Sequence, residues 1–213
     1  MIDNILFTTV VGSHMWKMEH MYSDLDLATV YMVNSRDSLL GKNIRGEQTF
    51  DDETNTDTTF YELGHFIHHL LKGNVNFLWA VMSPIIKADN RSSLKDLRGL
   101  VAANLSKASF YSINGLAKHN IYHFIKEKEH DGLWMKKLNV IGRTLKFGIN
   151  LLIWGKCLFQ KTDIKTEEEL WELKAQLNEA FKNSMLPEKP DPKPFEDYLI
   201  KHRIKQMRRD KVI

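Results

Sequence analysis

The chain opens on an apolar, β-branched run, Ile5-Leu6-Phe7-Thr8-Thr9-Val10-Val11, which reads as a strand over residues 5–11. Gly12-Ser13 then breaks the pattern, a short helix is expected near 14–21, and a second strand near 24–33. A polar run from Glu47 reads as a turn or solvated loop, leading into a strand near 54–58. From Phe60 the period lengthens to that of a helix. Phe60, Leu63, Phe66, Ile67, Leu70 and Leu71 share one face, Thr59 and Glu62 form a capping box, and Gly73-Asn74 is a stop. A further helix is expected over about 75–82, ending before Ser83-Pro84.

Beyond that point the pattern is helical. Helices are expected from Ser92 or Ser93 to Leu105, over 107–129 with a stop near Asp131-Gly132, and from Leu133 to Trp154 with Gly155 as a stop. Thr166 and Glu169 make a second capping box for a helix to about Asn183. Pro187, Pro190, Pro192 and Pro194 read as a stiff connector, and the segment from Phe195 as a last helix. The architecture is therefore α+β: a small mixed sheet with helices, followed by a helical bundle. The expected segments are 1–90, 91–185, and 186–213 as connector plus basic helix.

Chemistry concentrates at the first turn. In an extended strand Asp24 and Asp26 point to one face while Leu25 and Leu27 point to the other. Two neighbouring carboxylates repel unless a positive charge lies between them, and a divalent cation is the usual one. Gly12-Ser13 before a helix offers backbone N–H groups, a hydroxyl and the positive end of the helix dipole to a phosphate. A phosphate cradle facing a carboxylate pair suits phosphoryl or nucleotidyl transfer.

The pattern Gly12-Ser13, nine residues, then Ser23-Asp24-Leu25-Asp26 and Leu27-Ala28-Thr29-Val30-Tyr31 resembles the polymerase β-like nucleotidyltransferase superfamily. It is most similar to the small, RNA-repair-linked nucleotidyltransferases. Asp57, Phe60-Tyr61-Glu62-Leu63 and Leu70-Leu71-Lys72-Gly73-Asn74 extend the resemblance through residues 5–84, and it continues more faintly to about 156. It implies a catalytic palm over 1–90 and three metal-binding carboxylates, Asp24, Asp26 and Asp57. It also implies two Mg²⁺ or Mn²⁺ ions, and an NTP whose β,γ-phosphates meet Gly12 and Ser13. Asp51, Asp52 and Glu53 compete with Asp57 for the third place. Lys17 stands where the family has a glycine, and could either contact the triphosphate or crowd the turn. His14 stands where the family has a basic residue, and Gly12-Ser13-His14-Met15 is native sequence inside the motif. Lys136 and Arg143 in the helical half are the implied partners of a triphosphate or a nucleic-acid backbone, although Val140 replaces a histidine often found between them.

The implied activity is transfer of an NMP from an NTP to a hydroxyl, with an RNA 3′ end, a protein hydroxyl or a small molecule as acceptor. Two alternatives remain open: a binding module on the same fold, and an antitoxin-type enzyme that adenylylates a protein partner. The net charge is only +3, but residues 201–211 carry six Lys or Arg, which suits contact with nucleic acid or a solubilising helix end. His65, His68 and His69 have metal-ligand spacing but no supporting cluster, so a solvated helix face is the expectation. The single cysteine, Cys157, excludes an internal disulfide and reads as a packed thiol in the apolar stretch Leu151–Phe159. No signal-peptide pattern opens the chain and no stretch holds 18 uninterrupted apolar residues, so a cytoplasmic protein without membrane segments is expected.

Overall fold

The computed structural model describes residues 4–42, 46–126 and 134–213. In chain order the elements are β1 (Ile5–Val10), α1 (Gly12–Met15), β2 (Leu25–Tyr31), α2 (Ser35–Leu39), β3 (Glu47–Asp51), β4 (Thr56–Glu62), α3 (Leu63–Leu71), α4 (Val75–Met82), β5 (Ile86–Asp89), α5 (Ser93–Ala103), α6 (Ala108–Lys126), α7 (Trp134–Trp154), α8 (Glu167–Asn183) and α9 (Lys193–Arg209). The expected stop near Asp131-Gly132 lies outside the described residues. Two compact units form: Met1–Leu71 with Asn76–Asn104 and Asp191–Ile213, and Lys72–Val75 with Leu105–Pro190. Residues 91–104 and the C-terminal helix thus pack with the sheet, although their position in the chain put them in separate segments.

The first unit holds a mixed five-stranded sheet in the order β3-β4-β2-β1-β5. β2 and β4 run parallel, and the other pairs are antiparallel. Phe7, Val30, Leu63, Phe66, Val81, Leu94 and Leu97 are sealed from solvent and form its core. The end of β1 is anchored from the helical side. Thr9 Oγ1 donates to the Ala80 carbonyl (2.8 Å), the Ser83 hydroxyl donates to the Val10 carbonyl, and Arg98 Nε donates to the Val81 carbonyl (2.7 Å).

Several local expectations are corrected. β4 runs through Phe60 and Tyr61, which pair with Thr29 and Val30 of β2, so the following helix begins at Leu63 rather than Phe60. The ladder gained by the backbone outweighs the helical pattern there. Thr59 is consequently no cap. Glu62 caps the helix itself, its Oε2 accepting from the N–H groups of Gly64 (2.7 Å) and His65 (3.4 Å). Residues 47–51 form a strand, not a loop. All five are exposed, so no apolar alternation marked them, and the ladder to β4 alone holds this edge. β5 and α2 were likewise not foreseen. Pro194 sits in the first turn of α9, where its missing N–H costs nothing, and so belongs to the helix rather than the connector.

Glu62 is also an interaction centre for the C-terminal helix. Its Oε1 meets Arg203 Nη2 at 2.5 Å, and the Glu62 residue is only 7% exposed. The Nη1 of Arg203 is buried with no hydrogen-bond partner among the described residues. Glu62→Ala should therefore cost about 3 kcal/mol, because it strands a buried guanidinium and strips the cap of α3. Urea unfolding followed by circular dichroism measures this.

In the second unit Ile113, Ala117, Leu138, Ile141, Leu145, Leu151 and Leu177 form the core. The expected capping box is present in α8, where Thr166 Oγ1 accepts from Glu169 N–H (3.3 Å). Gly155 closes α7 at φ +59°. Cys157 lies beyond that helix, half-buried in irregular chain rather than inside an apolar helix. Burial pushes its thiol up to about 12. Among the described residues no helix is long and apolar enough to cross a membrane.

Candidate active site at the end of the first strand

The antiparallel register of β1 and β2 pairs Val10 with Leu27, and Val11 N–H then donates to the Asp26 carbonyl (2.9 Å). Immediately after, Gly12 takes φ +61° and the chain turns away. The Gly12 Cα lies against the Asp26 side chain. A Cβ there would stand 1.8 Å from Asp26 Oδ2 and 2.6 Å from its Cγ. Only glycine supplies both this backbone conformation and this space. The turn and the carboxylate proposed from the sequence are thus in direct contact.

Asp57 arrives from the neighbouring parallel strand. The β2–β4 register sets Asp26 directly beside Asp57, so the two carboxylates leave the sheet on one face. Asp57 stands second in β4, not at the end of a strand before a helix. Its Oδ2 accepts from Gln48 Nε2 at 2.6 Å. Its Oδ1 is buried and has no hydrogen-bond partner among the described residues. An orphaned anionic oxygen beside a second carboxylate fits a cation as its missing partner. Asp24 stands just before β2 and is exposed, while the following N–H, of Leu25, donates to Asn55 (2.9 Å). Among the described residues no three His, Cys, Asp or Glu side chains are gathered tightly enough to ligate one ion. Bare carboxylates repel, so this pair fits a cation as a donor set rather than as a finished cage.

The competing acids are placed elsewhere. Asp51 folds the β3–β4 turn, accepting from the Glu53 N–H (3.0 Å) and the Thr54 hydroxyl (2.8 Å). That hydroxyl, chiefly, holds its carboxyl below the usual range. Asp52 and Glu53 sit exposed on the same turn. Gln48, which orients Asp57, was missed because its strand carried no hydrophobic signal. Tyr61 shares the Asp57 strand, and its hydroxyl is raised first by burial and further by the Asp57 charge.

A sequence profile described as the RNA repair pathway DNA polymerase beta family matches residues 3–152. The chain belongs to this family. It is accordingly an enzyme of the nucleotidyltransferase class. None of the curated proteins matches the sequence significantly. Among solved structures, the chain is similar to a nucleotidyltransferase-like protein from Exiguobacterium sibiricum, at 12% identity and a TM-score of 0.36, over 96% of this chain and 70% of that one.

In this polymerase beta family member the helix after Gly12 is four residues long, not eight. Its dipole is correspondingly slight, and any phosphate affinity of the turn must come from hydrogen bonds at Gly12 and Ser13. The reason is local. Met18 N–H donates to Ser13 (3.1 Å) and Lys17 N–H to His14 (3.1 Å), the paired bonds that close a helix with its next residue left-handed. That residue is Lys17, at φ +56°. The turn buries Met15 and Trp16, and Trp16 meets Trp79 edge-on at 5.4 Å. A glycine at position 17 would take this conformation without strain, which accounts physically for the residue expected there. Lys17→Gly should leave the fold unchanged and raise stability by up to about 1 kcal/mol, read as a higher urea midpoint. The Lys17 side chain itself is exposed, and no ion pair engages it among the described residues.

His14 Nδ1 is buried and without a hydrogen-bond partner among the described residues. His65 and His68 are exposed, whereas His69 stacks on Phe77 at 4.5 Å, and no metal group arises from these histidines. Lys136 and Arg143 belong to the second unit. They stand two turns apart on one side of α7, Lys136 exposed and Arg143 half-buried. Lys107, also in that unit, is paired with Glu188 at 2.5 Å. The basic C-terminal segment is partly structural. Arg203 is committed to Glu62, and Asp210 accepts from both the N–H (2.9 Å) and the hydroxyl (2.7 Å) of Ser35.

Proposed function

We propose that this chain transfers a nucleoside monophosphate from an NTP to a hydroxyl acceptor, with an RNA 3′ end the favoured acceptor, releasing pyrophosphate. One observation carries the reading: Asp26, in contact with Gly12, stands beside Asp57, whose buried Oδ1 lacks any partner. Nothing in sheet packing requires two acids there, and a bound cation would offset their mutual repulsion.

Asp24, Asp26 and Asp57 would hold Mg²⁺ or Mn²⁺, two ions in the full site. When bound, such ions lower the pKa of an attacking hydroxyl and offset charge on the departing phosphates. The chain's own residues do the rest. The Ser13 hydroxyl and the backbone N–H groups of the turn would donate to the β,γ-phosphates. Asp57 Oδ1, free of other partners, would take the proton from the acceptor hydroxyl. The acceptor oxygen then bonds to the α-phosphorus as the bond to pyrophosphate breaks. Gln48 fixes the Asp57 carboxylate so that Oδ1 stays turned from the β3 side. The RNA acceptor is favoured by the RNA-repair description of the family that matches.

Incubation with α-³²P-labelled NTPs, Mg²⁺ and short RNAs tests this. Label should move to RNA carrying a free 3′ hydroxyl and not to the same RNA ending in a 3′ phosphate. Transfer only to protein or small-molecule hydroxyls would overturn the RNA assignment. No pyrophosphate release with any acceptor would overturn the activity.

A further inference from the structure

Within the first unit a cavity of about 420 Å³ opens at the other end of β1, lined by Asn4 and Ile5 rather than by the Gly12 turn. A six-residue strand separates the two places by roughly 17–20 Å. The volume is in the range of small-molecule sites.

Its walls differ in charge. One is helix α9, which presents His202, Lys205 and Arg209 at i, i+3 and i+7, and so on one face. Lys205 has no counter-ion among the described residues. Arg209 uses one Nη2 on the Gln206 side-chain oxygen and keeps further donors. The neighbouring helix α5 contributes Ser93 and Asp96 to the lining. The floor is apolar, made by Leu6 and Met32.

The decisive side chain is His202. It is only 7% exposed and lines the cavity one turn from Lys205. Its one contact of note is the face of Tyr198, at 4.3 Å.

We propose that this cavity is a second ligand site, for a small organic phosphate bearing hydroxyl groups, of ribose-phosphate size. The phosphate would lie against Lys205, Arg209 and His202, where charge-assisted hydrogen bonds are strongest. The hydroxyls would donate to Asp96. A ligand ammonium suits Asp96 less well, because Lys201 Nζ already stands 4.0 Å from its carboxylate. A nucleic-acid strand suits the place less well too, because Asp96 in the same lining would repel its phosphates.

The full-length protein should be titrated with ribose 5-phosphate, ribose and inorganic phosphate by calorimetry, with the His202 ring followed by ¹H–¹⁵N NMR. Ribose 5-phosphate should bind one-to-one, shift the His202 signals, and bind more tightly than either fragment. Lys205→Glu and Arg209→Glu, both at exposed positions, should each weaken binding by about tenfold or more. Asp96→Asn should weaken ribose 5-phosphate but not phosphate. Asp26→Asn should change nothing, which separates this cavity from the catalytic end. Absence of saturable millimolar binding, equal binding of ribose, or binding untouched by both charge reversals would overturn the proposal. So would binding of an RNA oligonucleotide at these residues in place of the small ligand.

Discussion

Asp26→Asn and Asp57→Asn are each expected to lower nucleotidyl transfer by about 10³-fold or more while leaving the fold intact. The same substitutions should raise, or at least preserve, the melting temperature of the metal-free protein. The two effects have one origin. Asp26 and Asp57 lie side by side in the β2–β4 ladder, and Asp57 Oδ1 is buried without a partner. Neutralising either carboxylate relieves repulsion and the desolvation of an anion, and in the same act removes a cation ligand. Active sites commonly hold such a trade between stability and activity. A purely structural pair would behave the other way, losing stability on substitution. Steady-state transfer assays beside differential scanning calorimetry separate the two, and a fall in melting temperature with activity retained would refute the assigned roles.

Gly12→Ala should fail in both respects. The backbone at φ +61° costs an alanine about 1–2 kcal/mol. The added methyl would also stand 1.8 Å from Asp26 Oδ2 and 2.9 Å from Asp26 Cβ, so rotating the carboxylate away cannot clear the whole overlap. The total expected loss is about 2–4 kcal/mol, by urea unfolding, with transfer reduced to the level of Asp26→Asn. Comparing the two variants is informative. One displaces the Asp26 carboxylate and the other neutralises it, but only the glycine variant strains the turn, so equal activity with unequal stability is the expected signature.

These effects rest on features that differed in how far the sequence announced them. The closeness of Gly12 and Asp26 was legible because one short motif spans the turn and the strand that pairs with β1. The contact of Gly12 with Asp26 follows from the pairing of β1 with β2, strands that are consecutive in the chain. The partnership with Asp57 was legible only through family resemblance. The helix expected from Phe60 begins later, since cross-strand pairing to Thr29 and Val30 keeps Phe60 and Tyr61 in β4. Gln48 was invisible. An edge strand exposed along its whole length, Glu47–Asp51, has the composition of a loop and is made a strand only by the ladder it joins. The eight-residue helix expected after Gly12 shrank to four because burial of Met15 and Trp16 bends the chain back through a left-handed Lys17. The assignment of α5 and α9 to the sheet unit was equally out of reach, because it depends on contacts such as Tyr198 Oη to the Ser93 carbonyl (2.8 Å), a hundred residues apart.

Binding of Mn²⁺ in the presence of a nonhydrolysable NTP, followed by electron paramagnetic resonance, addresses the central claim most directly. The wild-type protein should take up the ion with the nucleotide, and Asp26→Asn and Asp57→Asn should each weaken that uptake by about tenfold or more. Uptake at wild-type affinity in both variants would contradict the account, since the ion would then be held by groups other than the paired carboxylates of β2 and β4.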